Sequence, residues 1–277
     1  TNTYTLFDVP RPAQKMIHIH AGVEELGRVY QADLMINSDM GEFARLAARM
    51  PQVDSTPWRE WTHLAHKDYL SNIEPQSSPG DVDMAEVMIE LRKQLPADAI
   101  MTNGAGNFSG WVQRYWQYGG FRTQLGPTNG AMGYGVPSGV AAKVACPERV
   151  VVSFSGDGCF MMNGQEMATA VQYGLKVLFV VINNGMYGTI RMHQERDYPA
   201  RVHGTELHNP DFAALARAYG MHGAVVSRTD EFSGALAEAL SQETSALIEL
   251  RVDPEAITTR GKLSAIRENA LKRKKAG

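Results

Sequence analysis

The spacing of apolar and polar positions changes rhythm along the chain, and each rhythm predicts an element. Residues 15–20, "KMIHIH", alternate as a half-buried strand does. The following "VEELGRVYQADLMINSDMGEFARLAARM" adds a turn, a second apolar patch and a helical run that stops before Pro51. Residues 1–50 are therefore expected to be the last part of an α/β unit. Residues 51–80 carry four prolines and no sustained period, which predicts a linker ending near Pro79-Gly80. Beyond it, helical periodicity alternates with continuous apolar runs: helix 83–95, strand 98–102, helix 108–118, a glycine-rich loop, helix 134–145 and strand 149–155. Helix 163–173, strand 176–183, helix 210–219, strand 223–226, helix 231–241 and strand 246–252 complete the series. Strand and helix in alternation predict a doubly wound parallel α/β sheet over 81–255. Asn163 with Glu166 reads as a capping box and Gly174 as a helix stop, while Asn209-Pro210 opens and Gly220 closes another helix. Residues 256–277, ending in "LKRKKAG", read as a solvated basic tail.

Bulk composition narrows the functional classes. The chain has 277 residues, 44% of them hydrophobic, enough for one large domain and part of another. A formal charge of −3 gives no bias toward nucleic acid or an anionic membrane surface. No run reaches the roughly 20 apolar residues of a membrane helix, and "TNTYTLFDVP" has no signal-peptide pattern. Cys146 and Cys159 cannot build a metal cluster alone, and two cysteines beside fourteen methionines fit a reducing compartment, with the cytoplasm as default.

Chemistry concentrates where the apolar strands end. Residues 99–194 hold three carboxylates, Glu148, Asp157 and Glu166, against six basic residues, Arg114, Arg122, Lys143, Arg149, Lys176 and Arg191, which reads either as the charge-poor inner layers of a doubly wound domain or as the setting of an anionic ligand. Three strand-end loops there are rich in glycine: "NGAGNFSG" (103–110), "GPTNGAMGYG" (126–135) and "SGDGCF" (155–160). Glycine-rich turns before helices present N–H groups to phosphate. Asp157 conflicts with that reading, because a carboxylate repels phosphate, unless a divalent cation lies between them. Mg²⁺ accepts such a set of carboxylate, amide and phosphate oxygens, and Asn184 at the end of the next strand is a fitting amide.

The stretch "GDGCFMMNGQEMATAVQYGLKVLFVVINN" resembles the thiamine diphosphate fingerprint, and "GPTNGAMGYGVPSGVAAKVA" is similar to the corresponding loop of acetolactate synthase-like enzymes. The resemblance covers nearly the whole chain except the basic tail, and the first stretch resembles the end of that family's central domain. It implies that Asp157 and Asn184 coordinate Mg²⁺, with the backbone carbonyl of Met186 as third protein ligand. It implies that Met132 wedges between the two rings of the bent cofactor and that Gly130 and Met132 offer backbone groups to the pyrimidine. Gly106 and Asn107 fall on the other diphosphate-contacting loop, and the resemblance implies that Gly156, Gly158, Cys159, Met186, Tyr187 and Gly188 are cofactor-binding as well. The implied chemistry is decarboxylation or carboligation of a 2-oxo acid, with the cofactor as electron sink. FAD as a further cofactor is not readable from these residues.

Two departures matter. The family's activating glutamate, which sits on an N-terminal pyrimidine-binding domain, has no counterpart here. Glu148 and Glu166 lie on the wrong elements, and Glu195 would have to swing in from the lid. The chain also does not begin with Met, so the expectation is the C-terminal part of a longer polypeptide or one member of a split pair, working as a homodimer or homotetramer. The polar segment 189–209 reads as an active-site lid. It places His193 where acetolactate synthases carry a tryptophan and Met192 at a preceding glutamine position, so the resemblance supports the 2-oxo acid class more than acetolactate synthesis itself. His193, His203 and His208 read as solvated. The competing readings are a nicotinamide-dinucleotide oxidoreductase built on "GAGNFSG" and a non-catalytic cofactor-binding subunit. For the former the third glycine comes one position late, and no Asp or Glu occurs between 99 and 147 to take a ribose hydroxyl.

Overall fold

A computed structural model describes residues 4–276. The chain divides into two compact units, residues 1–66 and 67–277, with the division falling inside a helix. In the first unit, β1 (Ile17–His20) pairs parallel with β2 (Leu34–Asn37), and α1 (Met40–Ala47) follows, its first turn capped by the Asp39 side chain. α2 (Arg59–Asn72) occupies about half of the stretch expected to be linker. Its pattern is too polar to announce a helix. No residue described in 4–66 is buried, so this unit has no core of its own among the described residues.

The second unit runs α3 (Met84–Gln94), β3 (Ile100–Asn103), α4 (Ser109–Tyr115), β4 (Gln124–Leu125), α5 (Gly135–Ala145), β5 (Val151–Gly156), α6 (Asp157–Asn163), α7 (Met167–Gln172) and β6 (Val177–Asn183). It continues with α8 (Gly188–Asp197), α9 (Phe212–Ala218), β7 (His222–Val226), α10 (Thr229–Ser241), β8 (Ala246–Arg251), β9 (Ala256–Thr258), β10 (Gly261–Lys262) and α11 (Leu263–Ala276). Six strands form one wholly parallel sheet in the order β4-β3-β5-β6-β8-β7. β9 and β10 make a separate antiparallel pair.

Both faces of the sheet are covered, as continuous apolar strands require. Val152, Phe154, Leu178, Val180, Ile248 and Leu250 pack with α3, α4 and α10 on one side. Val151, Val177, Phe179, Val181 and Leu247 pack with α5, α7 and α9 on the other. This is the doubly wound arrangement, and it gathers the loops that leave β3, β5 and β6 at one edge.

Three local expectations fail for physical reasons. The capping box does not form: α6 begins at Asp157, straight off β5, and Asn163 donates instead to the Gly133 carbonyl at 3.1 Å while Glu166 accepts from Thr169. Asn209 does not cap α9. Asp211 does, accepting from Ala214 N at 2.8 Å. Residues 256–277 are not a free tail, because Leu263 and Ala270 are buried and α11 packs on α8. Lys272, Arg273, Lys274 and Lys275 are exposed, whereas Arg267 turns toward α8.

Candidate cofactor and metal site

At the C-terminal ends of the strands lies a cleft of about 220 Å³. The loop after β3 contributes Gly106 and Asn107, the loop after β4 contributes Gly130 and Met132, and the β5–α6 junction contributes Gly156, Asp157, Gly158 and Cys159. The loop after β6 brings Asn184, Met186, Tyr187 and Gly188 to the same wall. All twelve residues singled out in the sequence therefore face one cleft. A doubly wound sheet makes this juxtaposition, because β3, β5 and β6 are neighbours whose ends project in one direction.

Close approach of the backbone explains two glycines. A Cβ on Gly158 would sit 2.6 Å from the Tyr187 ring, and one on Gly104 would sit 2.1 Å from the Cys159 sulfur. Cys159 is itself fixed: its thiol accepts from Gly133 N at 3.1 Å, and burial pushes its pKa up. It behaves as a small packed group rather than a nucleophile.

Asp157 is 2% exposed and enters no ion pair among the described residues. Burial raises its pKa, opposed by N–H donors from Gly158 (2.9 Å to Oδ1), Gly185 (2.8 Å to Oδ2) and the Asn209 amide (2.8 Å to Oδ2). The Asn184 carbonyl oxygen accepts from Met186 N at 3.2 Å, closing the turn that carries both residues. A buried carboxylate, an amide and a main-chain carbonyl are hard oxygen donors of the kind Mg²⁺ takes. No group of three or more His, Cys, Asp or Glu occurs among the described residues, so no site built wholly from those side chains is at hand. The donor set fits a small divalent cation that completes its shell with ligand oxygens.

The excess of basic residues does not serve this cleft. No Lys, Arg or His lines it among the described residues. Lys143, Arg149 and Lys176 lie around a cavity at the opposite ends of the strands, and Arg114 donates to the Asn72 and Thr259 carbonyls. Arg191 joins Glu195, which is wholly buried and also receives Arg267 at 2.6 Å and Ala200 N at 2.9 Å. The Arg267 guanidinium, above all, holds the Glu195 carboxyl at about 2. Glu195 is not among the residues lining the cleft and clamps α8 to α11.

The expected lid is a helix for half its length, α8. Thr189 Oγ1 accepts from Asn107 N at 2.9 Å, and Met192 sulfur accepts from the Asn107 amide at 3.3 Å. His193, His203 and His208 are exposed. Sequence reasoning missed Thr189, Ile190 and Ile257 on the cleft wall, and Asn183, Asn209 and Glu249 behind it. The doubled Asn in "VVINN" was the available signal for Asn183. Nothing local marks the others.

The match to known proteins agrees with this geometry. Residues 104–250, more than half of the chain, match the model described as thiamine pyrophosphate enzyme, C-terminal TPP binding domain. The chain belongs to this family. It is 32% identical over 254 residues to an acetolactate synthase large subunit of Parasynechococcus marenigrum, covering 88% of this chain and 40% of that protein. It is 30% identical over 247 residues to the acetolactate synthase isozyme 2 large subunit of Escherichia coli, covering 87% and 44%. A probable acetolactate synthase large subunit of Methanocaldococcus jannaschii is 30% identical over 256 residues, covering 88% and 43%. The chain thus spans about two fifths of the length of the curated relatives it matches. The matched residues 104–250 include the loops that line the cleft from Gly106 to Gly188. No helix among the described residues is long and apolar enough to cross a membrane.

Proposed function

We propose that this chain supplies the diphosphate- and Mg²⁺-binding half of a thiamine diphosphate-dependent decarboxylase or carboligase acting on a 2-oxo acid. The observation that carries the proposal is the charge of the cleft: one buried carboxylate, Asp157, and no basic side chain among the described residues. A diphosphate brought to such a surface needs a cation as mediator, and Asp157, Asn184 and the Met186 carbonyl are the groups to hold it. The backbone N–H groups of Gly106 and Gly188 suit the remaining phosphate oxygens, with Gly188 opening α8 so that its dipole favours an anion there. Met132 stands at the cleft to keep the two rings of the cofactor folded. When bound, the cofactor supplies the electron sink for breaking the bond between carboxylate and carbonyl carbons. Ile182 and Ile257, both buried, give the cleft apolar walls.

The proton relay at the pyrimidine requires a carboxylic acid within hydrogen-bond reach. Asp157 is the one carboxylate lining the cleft among the described residues and is committed to the cation, so the activating glutamate comes from a pyrimidine-binding domain of the same or a partner polypeptide, in a homodimer or homotetramer. The nicotinamide alternative has no support in the cleft, which offers no second carboxylate for a ribose. Calorimetry with thiamine diphosphate tests the reading: binding with Mg²⁺ and none with EDTA is expected, and equal binding without metal overturns the ion assignment. Exchange of the cofactor's C2 proton should be slow with these 277 residues alone and fast once the pyrimidine-binding region is added. Fast exchange by the chain alone overturns the external glutamate.

A further inference from the structure

Glu249 sits in the middle of β8, 1% exposed, on the face of the sheet where its preceding neighbour Leu247 belongs to the apolar core. A buried carboxylate there is costly unless hydrogen bonds compensate it. Its Oε1 accepts from the Asn183 amide at 2.9 Å and from Arg251 Nε at 3.2 Å, and its Oε2 has no partner among the described residues. The Asn183 side-chain oxygen Oδ1 then accepts from the Asn209 amide at 2.9 Å, and that same Asn209 nitrogen donates to Asp157 Oδ2 at 2.8 Å. Gly185 N bridges the same two acceptors, at 3.1 Å to Asn183 and 2.8 Å to Asp157.

This chain of bonds runs from carboxylate to carboxylate through two amides, and it has one consistent polarity. A carboxylate only accepts, so the Asn183 nitrogen must face Glu249 and its oxygen must face Asn209. The Asn209 nitrogen is thereby placed to give both its protons, one to Asn183 and one to Asp157. Were Asn183 turned over, its nitrogen would meet the Asn209 nitrogen and the Gly185 N–H, donor against donor. Glu249 holds the nitrogen end of Asn183 while the Gly185 and Asn209 donors hold its oxygen end, and together they prevent the turn. We propose that Glu249 is a positioning residue for the metal ligand Asp157, acting through Asn183 and Asn209 without touching cofactor or cation. The inference rests on the function proposed above for Asp157, and it adds a reason for a charge inside an apolar sheet.

Thiamine diphosphate binding to the full chain, titrated by calorimetry with Mg²⁺ and separately with Ca²⁺, tests it. Glu249→Leu and Asn209→Ala should each weaken Mg²⁺-supported binding roughly 10- to 100-fold, the range for loss of an outer hydrogen bond to a metal ligand. Both should lower the preference for Mg²⁺ over Ca²⁺, because Mg²⁺ demands the stricter geometry. Glu249→Gln keeps a carbonyl for the Asn183 amide and should keep near wild-type affinity. The double variant should bind no worse than the weaker single one, since both cut one chain of bonds. Unchanged affinity in Glu249→Leu, or losses that add, overturns the proposal. A second readout needs no cofactor: in the metal-free protein the Asn209 side-chain amide, assigned by NMR with Asn209→Ala, should exchange slowly in wild type and Glu249→Gln and fast in Glu249→Leu. Equal protection in all three overturns the relay. If Glu249→Leu does not fold, Asn183→Ala replaces it in both arms. If wild-type chain fails to bind thiamine diphosphate with Mg²⁺, the function proposed for Asp157 falls, and the exchange arm still decides the relay.

Discussion

Two buried carboxylates at the same end of the sheet behave in opposite ways. Glu195 is 0% exposed and lies against two guanidiniums, Arg191 and Arg267, which with the Ala200 N–H hold its pKa at about 2. Asp157 is 2% exposed, has only neutral N–H donors, and burial moves its pKa up. The first charge is balanced inside the fold, so it fastens α8 to α11 and offers nothing to a ligand. The second is left short of a cation that the chain does not contain among its described residues. Burial alone therefore does not distinguish these two carboxylates; the presence or absence of an internal counter-charge does.

Substituting each member should separate the two roles. Asp157→Ala should abolish calorimetric binding of thiamine diphosphate with Mg²⁺, while thermal unfolding of the metal-free chain changes far less. Wild-type affinity in this variant would remove Asp157 from the metal site. Glu195→Ala should do the reverse: two guanidiniums lose their partner, and denaturant unfolding should show a loss of about 3–5 kcal/mol. A change within about 0.5 kcal/mol would mean that the α8–α11 clamp is not structural. Met132→Ala lies between these, since its side chain is half-buried and packs against the core as well as lining the cleft. Turnover of a 2-oxo acid by the assembled enzyme should fall at least tenfold, about 1.4 kcal/mol, with a shift in Tm of only about 2–4 °C. Unchanged kcat would remove its role as wedge.

The smallest effect is one of pH. The carboxyl of Glu195 is lowered from 4.5 to about 2, so its contribution is complete above about pH 4.5 and is lost as pH falls through about 2. Hydrogen exchange in α11 should therefore quicken across that window, ahead of the β6 amides. Exchange that quickens equally in both would contradict a local clamp.

The parts of this architecture that are local in sequence were legible there. β5 and β6 are unbroken apolar runs, "VVSF" and "VLFVVI", and the glycines and Asn residues that follow them name the cleft. β4 escaped because two residues, Gln124 and Leu125, carry no period. α8 escaped because Ile190 and Met192 are its only large apolar residues, and a helix held by ion pairs looks like a polar loop. α11 escaped because Leu263, Ile266 and Ala270 sit among lysines and arginines, although their spacing is helical. The functions of Glu195 and Asn209 were not legible at all. Each depends on partners far along the chain: Arg267 lies 72 residues from Glu195, and Asp157 lies 52 from Asn209.

The order of strands has a consequence for how the molecule comes to be. Asp157 follows β5, Asn184 follows β6 and Glu249 belongs to β8, and these three strands lie side by side at the centre of the sheet although the chain visits β7 before reaching β8. A nascent chain that has passed the loop after β6 already holds Asp157 and Asn184, yet β8 has still to be synthesised. Pairings so distant in sequence are closed late and slowly. A ligand that binds only the finished surface then acts as a reporter of completion, drawing the chain toward the native state by mass action and leaving partly zipped sheets without that support.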